Sequence, residues 1–178
     1  MTAANSILIR SYAVSDIERQ LPQLAGLLQD CVHDGASIGF ILPFTAPEST
    51  VFWTQNVLPA VQGGRRLLLV AEQEGQIVGT VQLDWDSPAN QQHRAEVRKL
   101  MVGPAFRRRG IARLLMLEVE ARARQLPRSL LTLDTRTDDN AEPLYISLGY
   151  AVAGVIPGYA LSADHSGLDA TTIMYKQL

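Results

Sequence analysis

An arginine-rich turn between a predicted strand and a predicted helix carries the residues of this sequence that are best suited to chemistry. The strand ends at Val102, and Gly110 opens the helix. Glycine lets the backbone turn tightly and approach a ligand closely. The first amides of a helix have no partners within it, and the helix dipole is positive there. Four arginines add charge and fork-shaped donors: Arg107, Arg108, Arg109 and Arg113. The turn therefore predicts a binding site for a phosphate or pyrophosphate.

The arginines also have a simpler interpretation, a solvated surface cluster beside an ordinary helix cap. The spacing alone favours anion binding and leaves that alternative open. The turn contains neither the Gly-Lys-Ser/Thr of a Walker loop nor a GxGxxG pattern. The sequence therefore argues against the common mononucleotide and dinucleotide folds.

The elements that must position this turn follow from hydrophobic periodicity and from glycine and proline punctuation. Their predicted order is β-α-α-β-β-β-α-β-α-β-β. Strands are predicted at 6–14, 66–72, 76–85, 96–102, 129–135, 150–156 and 171–176, and helices at 21–34, 47–58, 110–125 and 140–148. The second helix has Val51, Phe52, Val57 and Leu58 as its predicted apolar side. This order predicts a mixed α/β layer fold with antiparallel strands early and a βαβ crossover in the middle.

Length and composition narrow the class of protein further. The 178 residues predict one domain over 1–178, and 47% hydrophobic residues are enough for a core. The net charge of -2 argues against nucleic acid as a partner. The N-terminal segment has no signal-peptide pattern, and no apolar run approaches the ~20 residues that span a bilayer. We therefore expect a cytoplasmic protein without a membrane partner.

Cysteine and histidine usage gives no sign of a metal. Cys31 is the only cysteine and falls on the apolar side of the first helix, where we predict a small core residue. The three histidines, His33, His93 and His165, do not stand at metal-ligand spacing with other donors. We predict no metal site and no cysteine nucleophile. Trp53 is likewise predicted to be a core residue rather than a ligand contact.

Two motifs resemble those of the GNAT superfamily of N-acetyltransferases. The run Arg107-x-x-Gly110-x-Ala112 resembles its acetyl-CoA motif, and 144–150, LYISLGY, resembles its second signature. The resemblance implies the GNAT fold, a mixed and mostly antiparallel central sheet flanked by helices, with the βαβ crossover at the acetyl-CoA site. It implies acetyl-CoA as cosubstrate. The implied binding residues are Leu100, Met101, Val102, Arg107, Arg108, Arg109, Gly110, Ile111, Ala112, Arg113 and Asn140.

Four further stretches, 33–40, 94–102, 133–135 and 157–159, resemble the tabtoxin-resistance acetyltransferases within that superfamily. Those enzymes acetylate the amino group of a β-lactam toxin. The resemblance implies transfer to a small molecule and a role in toxin resistance.

The GNAT resemblance also implies direct attack of an amine on the thioester. A lysine-like amine with a pKa near ~10.4 is neutral in about one molecule in ~2,500 at pH 7, so a base is needed. Glu96 and Asp134 are the predicted bases. The alternatives are that Glu96 pairs with Arg98 or Lys99, and that Asp134 caps a loop. By strand periodicity, Glu96, Arg98, Leu100 and Val102 share one face.

Tyr145 is the predicted general acid, because a phenol can donate to the thiolate that leaves. Its alternative is a core tyrosine that packs against the helix at 110–125. The backbone amides of Met101 and Val102 are implied to hold the thioester carbonyl, with a β-bulge freeing such donors.

The acceptor is predicted to bind at the loop 35–40 between the first two helices, with Ser37, Phe40 and Tyr159 as contacts. The alternative is a tight helix–helix turn in which Phe40 is a packing residue. The predicted reaction is acetylation of a small primary amine by a monomer or homodimer. A protein or peptide amine as acceptor, and a non-catalytic acetyl-CoA sensor, remain open alternatives.

Overall fold

The computed structural model describes residues 6–178. The first five residues, part of the segment predicted to lack a signal peptide, lie outside this range. Helices and strands follow one another as β1 (Leu8–Tyr12), α1 (Val14–Arg19), α2 (Leu21–His33), α3 (Ala46–Phe52), α4 (Leu58–Gln62), β2 (Arg66–Gln73), β3 (Gln76–Asp84), β4 (Arg94–Val102), α5 (Ile111–Gln125), β5 (Leu130–Arg136), α6 (Glu142–Ser147), β6 (Ala151–Leu161) and β7 (Leu168–Gln177). A π-helical turn at Trp53–Val57 joins α3 to α4. Within the described residues, no helix is long and apolar enough to cross a membrane.

The strands form one seven-stranded sheet in the order β1-β2-β3-β4-β5-β7-β6. Neighbouring strands are antiparallel, except that β4 and β5 are parallel. Helix α5 makes the crossover that a parallel pair requires. The predicted fold class, with its mostly antiparallel sheet and central βαβ unit, is confirmed.

The parallel pair β4–β5 is short. Its register runs from Arg94 opposite Leu130 to Glu96 opposite Thr132, and both strands continue beyond that point. The two strands therefore diverge, and their backbone groups beyond Glu96 and Thr132 are no longer paired with each other. The gap between them faces the start of α5.

Helices cover both faces of the sheet, and each face has its own hydrophobic cluster. Helices α1 to α4 pack on one face, where Trp53, Val57 and Leu68 are fully buried. Helix α5 packs on the other, where Leu115 and Leu131 are fully buried. Cys31 and Trp53 both lie in the first cluster, so both are core residues as predicted.

The second predicted helix is irregular, and its predicted apolar side was wrong in part. Val51 is 47% exposed, whereas Trp53 and Val57 are fully buried. The π turn adds a residue to one turn and rotates the helix, so residues spaced for a regular helix no longer share a side.

A β-bulge interrupts β4 next to the diverging strands. Gln82 of β3 pairs with Arg98, but Thr80 pairs with Met101, so β4 carries one extra residue. Lys99 accommodates it with φ of 51°, in the left-handed region. The predicted common face was therefore wrong beyond Arg98. Met101 packs in the cluster beneath α2, while Leu100 and Val102 pack toward α5.

Candidate active site

The diverging ends of β4 and β5 open into a cleft of about 710 Å³. Its walls come from five places in the chain: the loop after α2, the bulged half of β4, the arginine-rich turn with the start of α5, the end of β5 with α6, and strands β6 and β7. Residues more than 130 positions apart in sequence therefore line one cavity.

The turn before α5 has the backbone geometry of an anion site. Arg108 and Gly110 both adopt left-handed conformations, with φ of 64° and 80°. Gly110 directly precedes the helix, and no side chain caps the helix start. The first-turn residues Ile111, Ala112 and Arg113 line the cleft. Their amides lack partners within the helix, which leaves them available to a ligand.

The four arginines of the turn differ in what they contact. Arg108 lines the cleft and has no hydrogen-bond or ion-pair partner within residues 6–178. Arg107 pairs with Asp34 and donates from Nε to the carbonyl of Val102 at 3.3 Å. The guanidinium of Arg107 thus links the end of α2 to the end of β4.

The other two arginines are less available to a ligand. Arg113 lines the cleft and donates to Ser147 Oγ at 2.6 Å. Arg109 lies over the ring of Phe106, 5.3 Å from its centroid, and donates to the carbonyl of Ala105 at 3.1 Å. Arg109 does not line the cleft, unlike the rest of the predicted acetyl-CoA set from Leu100 through Asn140.

Glu96 and Asp134 both line the cleft, from neighbouring strands. Ala95, Val97, Leu131 and Leu133 point toward α5, so strand alternation places both carboxylates on the opposite face. Glu96 Oε1 lies 3.7 Å from Arg98 Nε, a loose ion pair. Asp134 is exposed, with no hydrogen-bond or ion-pair partner in the part of the chain that the structure describes. The predicted alternative for Glu96 is thus formed with Arg98 and not with Lys99, and the loop cap predicted as the alternative for Asp134 is not formed among the described residues.

Tyr145 reaches the cleft from α6. The side chain is 6% exposed, and its ring meets that of Tyr150 edge-on at 5.9 Å between centroids. Its hydroxyl has no hydrogen-bond partner among residues 6–178. Burial, with smaller contributions from Asp134 and Asp139, raises the pKa of Tyr145 far above its ordinary value. The phenol therefore stays protonated throughout the neutral range.

The three predicted acceptor contacts do not all reach the cleft. Ser37 and Tyr159 line it, and Tyr159 is 54% exposed. Phe40 instead packs against Phe44 and Phe52, with ring centroids 4.8 and 5.2 Å away. Phe40 therefore packs beneath the loop and does not line the cleft, which agrees with its predicted alternative as a packing residue.

The family model for the acetyltransferase (GNAT) family matches residues 41–150, well over half of the chain. The chain belongs to the GNAT family of acetyltransferases. The match includes the arginine-rich turn, both carboxylates and Tyr145. The strands β6 and β7 lie beyond the matched residues, and β6 adds Tyr159 to the cleft of this GNAT chain.

Solved structures share the whole GNAT fold with this chain at low sequence identity. A ribosomal-protein-alanine N-acetyltransferase from Brucella melitensis is 24% identical, with a TM-score of 0.78 over 96% of this chain and 99% of that one. A GCN5-related N-acetyltransferase from Kribbella flavida is 20% identical, with a TM-score of 0.79 over 99% and 100%. The yncA protein from Salmonella typhimurium, solved with its cofactor acetyl-CoA, is 20% identical, with a TM-score of 0.77 over 98% and 95%.

Sequence reasoning did not identify three cationic residues of this GNAT chain's cleft as site residues, and Arg98 on β4 is one of them. Lys99 enters the cleft from the bulge, and Arg136 enters from the end of β5. Arg136 donates to the carbonyl of Gly35 at 3.5 Å and pairs with Asp139 at 3.3 Å. Strand alternation could have placed Arg136 beside Asp134, but Lys99 has no such signal because the bulge sets its direction.

Proposed function

We propose that this GNAT chain transfers the acetyl group of acetyl-CoA to a primary amine of a small molecule. The observation that carries the proposal is the composition of one cleft. It is lined by an arginine-rich turn suited to a pyrophosphate, by two carboxylates suited to removing a proton, and by a protonated phenol. Direct transfer between two bound substrates needs these three features together.

The residues of the cleft fit acetyl-CoA. The unpartnered guanidinium of Arg108 and the free amides of Ile111 and Ala112 suit a pyrophosphate. The diverging β4 and β5 expose backbone groups that a pantetheine arm, with its two amides, can pair with. The bulge at Lys99 and Leu100 interrupts the strand pairing directly before Met101 and Val102, whose amides are the expected donors to the thioester carbonyl. When bound there, acetyl-CoA supplies the activated acetyl group.

The carboxylates take the role of base. An amine with a pKa near ~10.4 arrives protonated, and Glu96 and Asp134 attract that ammonium to the α2 side of the sheet. Either one accepts the proton, directly or through a water, as the nitrogen attacks the carbonyl carbon. Asp134 has no partner to release within the described part of the chain, whereas Glu96 must release Arg98.

Tyr145 takes the role of donor toward the leaving sulfur. A free thiol has a pKa near ~8.5, and the pKa of Tyr145 lies far above that. Complete transfer of the phenolic proton to the thiolate is therefore unfavourable. The phenol instead stabilises the developing thiolate through a hydrogen bond, and the thiolate takes its proton later from solvent.

A protein amine is the second candidate acceptor. It is favoured by the Brucella melitensis structure, because that relative is a ribosomal-protein-alanine N-acetyltransferase. The loop that contains Ser37 and the exposed Tyr159 border the cleft, and their spacing decides whether a chain terminus can enter. Tabtoxin-like amines and a role in toxin resistance belong to the first candidate.

Thiol release from acetyl-CoA tests the proposal. The acceptors are a panel of small primary amines, tabtoxinine-β-lactam included, beside a pool of peptides with free N-termini. Glu96→Gln, Asp134→Asn and Tyr145→Phe are assayed in parallel. We expect turnover with a small amine, a loss of about 100-fold in kcat with the carboxylate that acts as base, and a loss of about 10-fold with Tyr145→Phe.

The outcomes separate the candidates. Turnover of peptides alone would favour the protein amine. Tight binding of acetyl-CoA without turnover of any acceptor would favour a non-catalytic sensor. Failure to bind acetyl-CoA would contradict the proposal as a whole.

A further inference from the structure

Lys99 is a cation without a partner in the wall of the cleft. Its side chain is partly buried, and its ammonium lies 5.7 Å from the ring centroid of Phe40. It makes no hydrogen bond and no ion pair within residues 6–178. Burial is the main cause that lowers its pKa, followed by the neighbouring Arg98. An ammonium that has lost much of its water without gaining an acceptor is costly for the fold.

The other cations that line the cleft on this side already have partners. Arg98 pairs with Asp84 at 3.3 Å and with Glu96 at 3.7 Å. Arg136 pairs with Asp139 at 3.3 Å. Arg108, the other unpartnered cation of the cleft, belongs to the turn before α5. On the carboxylate side of the sheet, Lys99 alone among the described residues is free to bind an anion.

The surroundings of Lys99 fix the position of its ammonium. The left-handed bulge directs the side chain toward the loop that we assign to the acceptor. Gly39 of that loop leaves space, since a Cβ at that position would lie only 3.2 Å from Lys99 Nζ. The ring of Phe40 supports the ammonium from one side by a cation–π contact. Backbone, loop and ring thus hold the charge at the cleft wall.

The cleft wall carries a positive charge at Lys99 and two negative charges, at Glu96 and Asp134, a short distance away. Glu96 and Asp134 are close enough for their charges to act on Lys99, but neither comes within 4.0 Å of its ammonium. A zwitterion matches this arrangement, with its ammonium group toward the two carboxylates and its carboxylate toward Lys99. A simple amine leaves Lys99 unpaired, so it gains less from the site.

We propose that the acceptor is an amino acid or a closely related zwitterion, and that Lys99 binds its carboxylate. The proposal rests on the proposed acetylation of a small amine and adds the substrate class. A charge-assisted hydrogen bond of this kind contributes about 1.5–3 kcal/mol, which corresponds to about 10- to 100-fold in KM. Lys99 is accordingly a specificity residue and takes no part in proton transfer.

Matched acceptor pairs test the proposal. Each pair is an amino acid and its primary amide, which keeps the size and the amine but lacks the negative charge. Wild-type protein, Lys99→Met and Lys99→Arg are assayed with saturating acetyl-CoA. Methionine is unbranched, reaches to the position of Cε and lacks only the terminal ammonium, and it places the same demand on the backbone. Arg10→Met, on β1 with its side chain 59% exposed, controls for the loss of one positive charge.

We expect Lys99→Met to raise KM for the amino acid by about 10- to 100-fold and to leave KM for the amide within about twofold. Lys99→Arg should recover part of the loss, and Arg10→Met should behave as wild type. Equal losses on acid and amide in Lys99→Met would overturn the proposal and indicate a general role for Lys99.

Two other results would overturn it while locating the error. If wild-type protein acetylates amides or peptides with the same efficiency as free amino acids, the proposed substrate class is refuted, but acetyl transfer to an amine is not. Wild-type protein that acetylates no amine would remove the proposed function itself. Calorimetry with N-acetylated amino acids and their amides gives an independent readout, because Lys99→Met should weaken only the binding of the acids.

Discussion

At the scale of single residues, the clearest consequence of burial is at Cys31. The residue is 1% exposed, and its sulfur lies 3.6 Å from the carbonyl oxygen of Val102. Burial raises the pKa of the thiol to about 11, against an ordinary value near ~8.5. The folded protein therefore favours the protonated thiol, and this preference is part of its stability.

The raised pKa of Cys31 should be detectable in the pH dependence of the free energy of unfolding at alkaline pH. The raised pKa of Cys31 contributes fully to the free energy of unfolding at pH values below the pKa of the thiol in the unfolded chain, near ~8.5. That contribution is lost as pH rises through the folded-state pKa of about 11. We expect the free energy of unfolding of wild type to fall relative to Cys31→Ala by about 2–3 kcal/mol between pH 8 and pH 11. Urea unfolding of both proteins across that range measures the difference. Parallel curves would contradict the shift.

At the scale of elements, a partly buried ion pair joins α5 to β7. Glu120 Oε2 of α5 lies 2.7 Å from Lys176 Nζ, and the glutamate side chain is 5% exposed. Lys176 also donates to the carbonyl of Leu148, just after α6. The ammonium of Lys176 on β7 therefore contacts both α5 and the end of α6, and all three elements line the cleft.

Loss of that carboxylate should destabilise the protein strongly. Glu120→Gln leaves the partly buried ammonium of Lys176 without its counter-ion, and we expect a loss of about 2–4 kcal/mol in unfolding free energy. Arg124 is the matched control, because it approaches the same carboxylate at 3.6 Å with a side chain that is 53% exposed. Arg124→Gln should cost less than about 0.5 kcal/mol. Equal effects in thermal or urea unfolding would refute the assignment.

The arginine-rich turn allows a similar contrast between neighbours. Arg108 lines the cleft without a partner among residues 6–178, whereas Arg109 packs on Phe106 outside the cleft. Asparagine tolerates the left-handed conformation of position 108, so Arg108→Asn removes the charge with little strain. We expect it to raise KM for acetyl-CoA about 10-fold, and Arg109→Asn to change it less than about twofold. Initial rates measured at varied acetyl-CoA concentrations give both KM values. A larger increase in KM for Arg109→Asn than for Arg108→Asn would contradict the assignment of Arg108 to the acetyl-CoA site.

At the scale of the whole molecule, the sequence predicted the layers and the position of the cofactor turn. Alternating apolar residues in the strands and the spacing of Arg107, Gly110 and Ala112 are local patterns, and local patterns can be read without coordinates. The fold class followed from the periodicity, and the family followed from the resemblance of two motifs to those of the GNAT superfamily.

The features that could not be predicted depend on contacts between distant segments or on one extra residue. The ion pair of Arg107 with Asp34 joins positions 73 residues apart and has no sequence signature. The π turn exposed Val51, and the bulge redirected Leu100 and Lys99. An insertion of one residue changes the side of every residue after it, so periodicity fails at that point.

The left-handed backbone at Lys99 has a consequence for how this enzyme evolves. A lysine at φ of 51° carries a conformational cost of about 1 kcal/mol that asparagine largely avoids. Lys99→Asn should therefore raise the melting temperature by a few degrees while it removes the preference for amino acids over their amides. Calorimetric melting and the matched acceptor pairs measure both effects.

Most changes of specificity must be offset by stabilising mutations elsewhere. If Lys99 binds the acceptor carboxylate as proposed, the loss of specificity at position 99 brings stability with it, and descendants of this protein can abandon one class of acceptor in a single step.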